Sequence, residues 1–198
     1  MHDYAVFGHN RTTIGRWLGV ASIILAGAVS SFLAWFHQLT GLHALTGGAV
    51  TTGTIYFILH WVFNKFAWKL PFFKIPDLNG IWKVSGTTLD ENSNAKYEWN
   101  AEIDIDQNWE KMVICLKTKQ SSSDSYTATL SKCNGSRGGW LLSYSYSNNP
   151  NVDQYHALNS HKGYCEILIN KELTNGVAAY FNSNGRRTFG KMELKRGL

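Results

Sequence analysis

The 198-residue sequence predicts an N-terminal two-helix transmembrane hairpin joined to an all-β domain, an eight-stranded up-and-down antiparallel β-barrel. Three observations predict it. Two stretches, 17–36 and 44–63, each run 20 residues without Lys, Arg, Asp or Glu. From Leu78 onward the apolar spacing changes to a period of two. The links between the extended runs are short and rich in Gly, Asn, Ser and Asp, with no helix-period segment among them.

The first stretch, WLGVASIILAGAVSSFLAWF, has the roughly 20 apolar residues that span a bilayer as a helix. It is too long for a signal peptide, no small-x-small cleavage site follows it, and a second apolar stretch comes next. The second stretch, ALTGGAVTTGTIYFILHWVF, has His60 as its one ionisable group, read as an interfacial hydrogen-bonding residue. Trp17, Trp35, Trp61 and Trp68 mark the ends, where amphipathic rings prefer the headgroup level. The link HQLTGLH (37–43) allows only a helical hairpin and carries no Lys or Arg. Arg11 and Arg16 precede the pair, and Lys65, Lys69 and Lys74 follow it. The positive-inside rule then places both termini in the cytoplasm. Small residues four apart (Ala26 and Ser30, Gly27 and Ser31, Ala49 and Gly53) let helix backbones approach, within the hairpin or between copies. The expected organisation is a two-span region over 1–75 and a cytosolic β domain over 77–198.

In the β domain, Tyr97, Trp99, Ala101, Ile103 and Ile105 alternate with Glu98, Asn100, Glu102, Asp104 and Asp106, which describes a strand with one face inside. Similar runs over 80–88, 111–118, 123–132, 138–147, 161–170, 174–182 and 186–195 complete eight strands. Strands joined in sequence by tight links suggest a closed barrel, with a two-sheet sandwich as the alternative. Trp82, in the Gly80-x-Trp82 entry, is expected to plug the narrow end. Alternation then points Val84, Trp99, Ile103, Ile105, Met112, Ile114, Leu116, Tyr126, Leu130, Tyr144, Tyr146, Met192 and Leu194, among others, inward.

Connectivity gathers the links 89–95, 118–123, 148–160 and 183–186 at the far end. They bring Lys119, Gln154, Tyr155, His156, Arg186 and Arg187 around one mouth, above a wall of Tyr126, Tyr144 and Tyr146. Arginine forks match phosphate oxygens and tyrosine faces stack on bases. A cyclic dinucleotide has both parts. The competing reading leaves Arg186 and Arg187 as solvated turn residues and the tyrosines as core.

Composition limits the other classes. The formal net charge is +5, of which +4 falls in residues 1–76, so the β domain offers no broad face for DNA or RNA. Cys115, Cys133 and Cys165 are odd in number and lack metal-ligand spacing, as packed reduced thiols of a cytosolic domain do. Glu102, Asp104 and Asp106 share an outward face, and His37 and His43 have no ligand partners in sequence. No Gly-rich phosphate loop, G-x-S-x-G or H-E-x-x-H occurs. No catalytic residue, metal or cofactor is expected.

The run NKFAWKLPFFKIPDLNGIW and the segment IDIDQNWEKMVICLKTKQSSSDSYTA resemble those of the two-helix transmembrane β-barrel effectors of bacterial cyclic-oligonucleotide-based antiphage signalling (CBASS). Ile105, Gln107, Trp109, Met112, Ile114, Leu116 and Thr118 carry the likeness, with Gly185, Arg187, Gly190 and Leu194 in the last strand. The resemblance implies a barrel that binds a cyclic dinucleotide made on infection. It also implies an effector that assembles as a homo-oligomer in the inner membrane, disrupts the bilayer and kills the infected cell. Two other readings stay open on the residues: a membrane-anchored, lipocalin-like binder of an apolar ligand, and a structural anchor whose packed barrel binds a protein.

Overall fold

The computed structural model describes residues 1–40, 51–134, 138–154, 156, 159–183 and 187–197. The chain divides into a helical unit, His9–Phe73, and a β unit made of Met1–Gly8 with Lys74–Leu198.

In the helical unit, Asn10 caps helix α1 (Arg11–Thr40), its Oδ1 accepting the Thr12 N–H at 3.1 Å. Among its described residues α1 buries only Ser22 and exposes Ile23, Ile24, Phe32 and Trp35. A 30-residue helix that apolar is long enough to cross a membrane. The expected span 17–36 lies inside α1. The charge-free run is the middle of the helix, and polar residues continue it at both ends. Thr51 caps helix α2 (Thr52–Lys65), its Oγ1 accepting the Thr54 N–H at 3.1 Å. α1 packs against α2, with Gly15 facing the Tyr56 hydroxyl. Residues 44–50 of the expected second span, and Ala49 of its small pair, lie outside the described residues.

Among its described residues the β unit holds nine strands, not eight. They are β1 (His2–Val6), β2 (Gly80–Leu89), β3 (Ala95–Gln107), β4 (Lys111–Lys117), β5 (Ser121–Lys132), β6 (Trp140–Pro150), β7 (His161–Ile169), β8 (Asn175–Ser183) and β9 (Phe189–Arg196). From β2 to β9 each pairs antiparallel with the next, and β9 returns to β2 with Trp82 opposite Arg196 and Leu89 opposite Phe189, so the sheet closes on itself. Strand β1 is the addition. It pairs antiparallel with β4 at His2 and Asp3, then parallel with β5 at Tyr4, Ala5 and Val6. It fills the split that opens where the direct β4–β5 pairing, limited to Cys115–Lys117, ends. HDYAV carries too short a pattern to announce a strand, and its partners are more than a hundred residues away in sequence.

Alternation places the core as expected: Val84, Ile103, Ile105, Met112, Ile114, Leu130, Leu142, Ile167 and Leu194 are buried inside the closed sheet. Trp82, 1% exposed, seals the end near the chain entry, and its Nε1–H donates to the Leu78 carbonyl at 3.1 Å. The Arg196 guanidinium stacks 5.4 Å from its ring centre. Gln107 fastens this end. Its Oε1 accepts the Leu78 N–H at 2.9 Å, and its Nε2 donates to the Pro76 carbonyl and the Tyr4 hydroxyl. Buried polar groups satisfied in this way fix one arrangement of the chain entry.

The inward placement of Tyr126 is corrected. A bulge between Ser125 and Thr127 inserts one residue opposite β6, so the inward parity passes from Ser123 and Ser125 to Ala128 and Leu130. Tyr126 stands outside, 47% exposed, with the Lys162 Nζ 5.7 Å from its ring centre.

Candidate ligand cavity

The end of the closed sheet opposite Trp82 encloses a cavity of about 410 Å³. Its position follows from side-chain size. Large apolar residues fill the Trp82 half, whereas the far half is walled by flat rings and short polar groups. Tyr97 and Trp99 come from β3, Tyr144 and Tyr146 from β6, and Tyr180 from β8. Three glycines make room for three of these rings. A Cβ at Gly86 would overlap Trp99, one at Gly163 would overlap Tyr146 and Asn182, and one at Gly190 would overlap Tyr180 and the Thr87 carbonyl.

The rings are held by hydroxyls and amides. The Trp99 Nε1–H donates to Thr88 Oγ1 at 3.2 Å, and the Thr88 and Tyr180 hydroxyls lie 2.8 Å apart. The Tyr146 hydroxyl donates to Asn182 Oδ1 at 2.6 Å, and Asn182 Nδ2 donates to Thr188 Oγ1 at 2.7 Å. These links fix the faces that Trp99, Tyr146 and Tyr180 turn to the cavity.

A polar row crosses three strands. Ser123 of β5 stands opposite Asn148 of β6, and Asn148 stands opposite His161 of β7. All three are buried and line the cavity. His161 Nδ1 lies 3.1 Å from the Asn159 carbonyl, which can only accept, so this nitrogen carries the proton. The Asn148 carboxamide, only 6% exposed, makes no side-chain hydrogen bond among the described residues. Its two donors and its acceptor are directed to whatever fills the cavity.

The described lining of the cavity carries no negative charge at neutral pH. Among the described lining residues there is no carboxylate, and Lys119 is the basic side chain. Burial pushes the Cys165 thiol up to about 12 and the Tyr144 phenol well above its usual value, with each neighbouring the other. Outside the cavity, burial and the adjacent Asp124 push the Cys115 thiol to about 11. Neither thiol offers a thiolate nucleophile at neutral pH. The same shifts set a pH limit. Folded-state values above the unfolded ones mean that the native state holds more protons once the pH passes about 9, so stability falls from there toward 12. Denaturant midpoints should be level from pH 7 to 8.5 and drop above 9. Cys165→Ala should flatten part of that drop.

Of the residues expected at the mouth, Tyr144, Tyr146 and Lys119 line the cavity. Tyr126 does not, for the reason given above. His156 and Arg187 are exposed and do not line it, though Arg187 precedes the lining residue Thr188. Tyr155 and Arg186 lie outside the described residues. The polar row and Asn182 were missed, although continuing the alternation past Tyr146 by two residues reaches Asn148, and past Tyr180 reaches Asn182.

Residues 73–196 match the family described as Cap15, cyclic dinucleotide receptor domain, and residues 12–69 match Cap15, TM helices. The chain is 35% identical to the CD-NTase-associated protein 15 of Yersinia aleksiciae, over 98% of this chain and 97% of that protein. Both parts of the architecture are therefore matched, in order, along nearly the full length. The chain belongs to the Cap15 family, as a membrane effector of CBASS whose β unit is a cyclic dinucleotide receptor domain.

Proposed function

We propose that this cavity is where the cyclic dinucleotide binds. We further propose that occupancy drives the helices of several chains to associate and disrupt a bacterial inner membrane. The observation that carries the reading is the unpaired, buried Asn148 carboxamide amid five aromatic rings. Rings can stack on bases, worth roughly 1–3 kcal/mol each, and an amide can pair with a base edge. The absence of carboxylates among the described lining residues spares the phosphates from repulsion. On this reading Lys119 and Arg187 meet the phosphates at the rim. An apolar ligand in a lipocalin-like cup would instead leave Asn148 and Ser123 unpaired, at about 1–3 kcal/mol each.

The connectivity of β1 supports a two-span hairpin with both termini on the receptor's side. The chain leaves the β unit after Gly8 and re-enters it at Lys74. Since β1 pairs with β4 and β5, both crossings of that boundary start and finish in the same compartment. The segment between them must then cross a bilayer an even number of times. A messenger made in the cytosol requires that compartment to be the cytoplasm.

The test uses the full chain in dye-loaded liposomes and a panel of cyclic dinucleotides. One member should bind and release the dye, and Arg187→Ala should weaken it about tenfold, as loss of one charge-assisted contact does. Tyr126→Ala, on the outer face, should change affinity by less than about twofold. Leakage without any cyclic dinucleotide would overturn the gating. Equal loss of binding on substituting Tyr126 and Asn148 would overturn the site.

A further inference from the structure

The β unit has a second concavity, at the end sealed by Trp82, that the messenger reading does not use. This cleft of about 580 Å³ is lined by Lys74, Lys132 and Lys171 together with Ile75, Trp140 and Leu173. Among its described lining residues there is no carboxylate. Gly138 and Gly139 have positive φ (53° and 96°), backbone that glycine adopts without steric cost. The Lys171 methylenes lie where a Cβ on Gly138 would be, so that chain rests along the cleft wall. Trp140 is half-buried, and its indole N–H has no partner among the described residues.

Both chain exits are at this end. β1 runs parallel to β5 toward Lys132, with the Phe7 N–H bonded to the Leu130 carbonyl, so Gly8 leaves here. Lys74, the first residue after the helical unit, lines the cleft itself. Three ammonium groups, apolar wall residues and an interfacial tryptophan are the combination that settles at the headgroup level of a bilayer.

We propose that this cleft is a phosphate site that takes the headgroup of an anionic membrane lipid and seats the receptor against the inner leaflet. Lysine heads meet the lipid phosphate, and the Trp140 N–H donates to a headgroup oxygen. Each lysine contributes about a fivefold gain in affinity for an anionic surface. The inference rests on the helical unit crossing a membrane. It does not depend on messenger recognition, and its test contains no messenger.

The full chain is placed in nanodiscs of phosphatidylcholine, alone or with phosphatidylglycerol. Lysines are acylated with limiting amine reagent and each rate is read by peptide mass spectrometry. Lys74, Lys132 and Lys171 should react about fivefold slower with phosphatidylglycerol present, with Lys96 and Lys119 of the opposite end unchanged. Glycerol phosphate added to the phosphatidylcholine discs distinguishes a soluble anion from a lipid. Protection there as strong as with phosphatidylglycerol would overturn the lipid source. Equal rates in every condition would overturn the site. In detergent, a variant with Lys74→Gln, Lys132→Gln and Lys171→Gln should retain on the order of 100-fold less phosphatidylglycerol by native mass spectrometry, and the three Lys→Arg changes should restore it. Retention unchanged by the glutamines would also overturn the site. Failure of the chain to enter nanodiscs would instead count against the membrane reading on which the inference rests.

Discussion

Asn148→Ala is expected to lower the affinity for the activating cyclic dinucleotide by about 10–100-fold while leaving thermal stability unchanged or slightly raised. The two signs come from one fact. In the free protein the carboxamide is buried and makes no side-chain hydrogen bond among the described residues, so removing it breaks nothing. With ligand present, the alanine leaves a base edge or phosphate oxygen unpaired. Isothermal titration gives the first number and thermal unfolding of the same samples gives the second. Ordinary core asparagines behave in the opposite way, because truncating them strands a partner. A fall in melting temperature with unchanged affinity would therefore assign Asn148 to structure, and the cavity would lose its main recognition group.

Neighbouring residues bear on the same point. Ser123 lies on one side of Asn148 and His161 on the other, in register across three strands. Such a row is a poor way to build a core and a good way to read a polar edge, since each group is costly unless something bonds to it. The walls of the cavity are likewise unlike a packed interior. Gly86, Gly163 and Gly190 give up side-chain packing so that Trp99, Tyr146 and Tyr180 can lie close to the backbone.

Much of this was legible as alternation. In β6 the serines at 143, 145 and 147 face outward between Leu142, Tyr144 and Tyr146, and the pattern needs no structure to be read. What alternation hides is where it stops meaning hydrophobic. The inward positions at the far strand ends are Asn148, His161 and Asn182, which by type look like solvent-facing residues. The bulge at Ser125 hides something else, because one extra residue reverses every later side chain and nothing in SDSYTATL marks it. Strand β1 was illegible for a third reason: pairing energy that depends on partners at Met112 and Ala128 leaves no local trace at residues 2–6. The membrane segment and the Trp82 plug, both set by local composition and spacing, were the readable extremes.

Tyr4→Ala should destabilise the β unit by about 3–5 kcal/mol, a large part of the 5–15 kcal/mol typical of a domain. The ring is 4% exposed, and its hydroxyl donates to the Asn108 carbonyl and accepts from Gln107 Nε2, each at 3.1 Å. Removing it opens a void beside β1 and takes one partner from the glutamine that also holds Leu78 and Pro76. Tyr4→Phe keeps the ring and should lose only about 1 kcal/mol. Denaturant unfolding of the full chain in detergent, followed by tryptophan fluorescence, measures both. The consequence reaches the cavity because β1 sits in the split between β4 and β5. Beyond that split, Leu116 of β4 and Ser121 and Ser123 of β5 line the cavity, with Thr118 from the link between the two strands. If seating of β1 and filling of the cavity favour the same arrangement of these strands, each must strengthen the other by the same factor. Messenger should then slow proteolysis of residues 1–8 in the wild-type chain, and Tyr4→Ala should weaken messenger binding by that factor. A freely cleaved N-terminus with unchanged messenger affinity would show that the strand leading into α1 is an anchor only, uncoupled from the cavity.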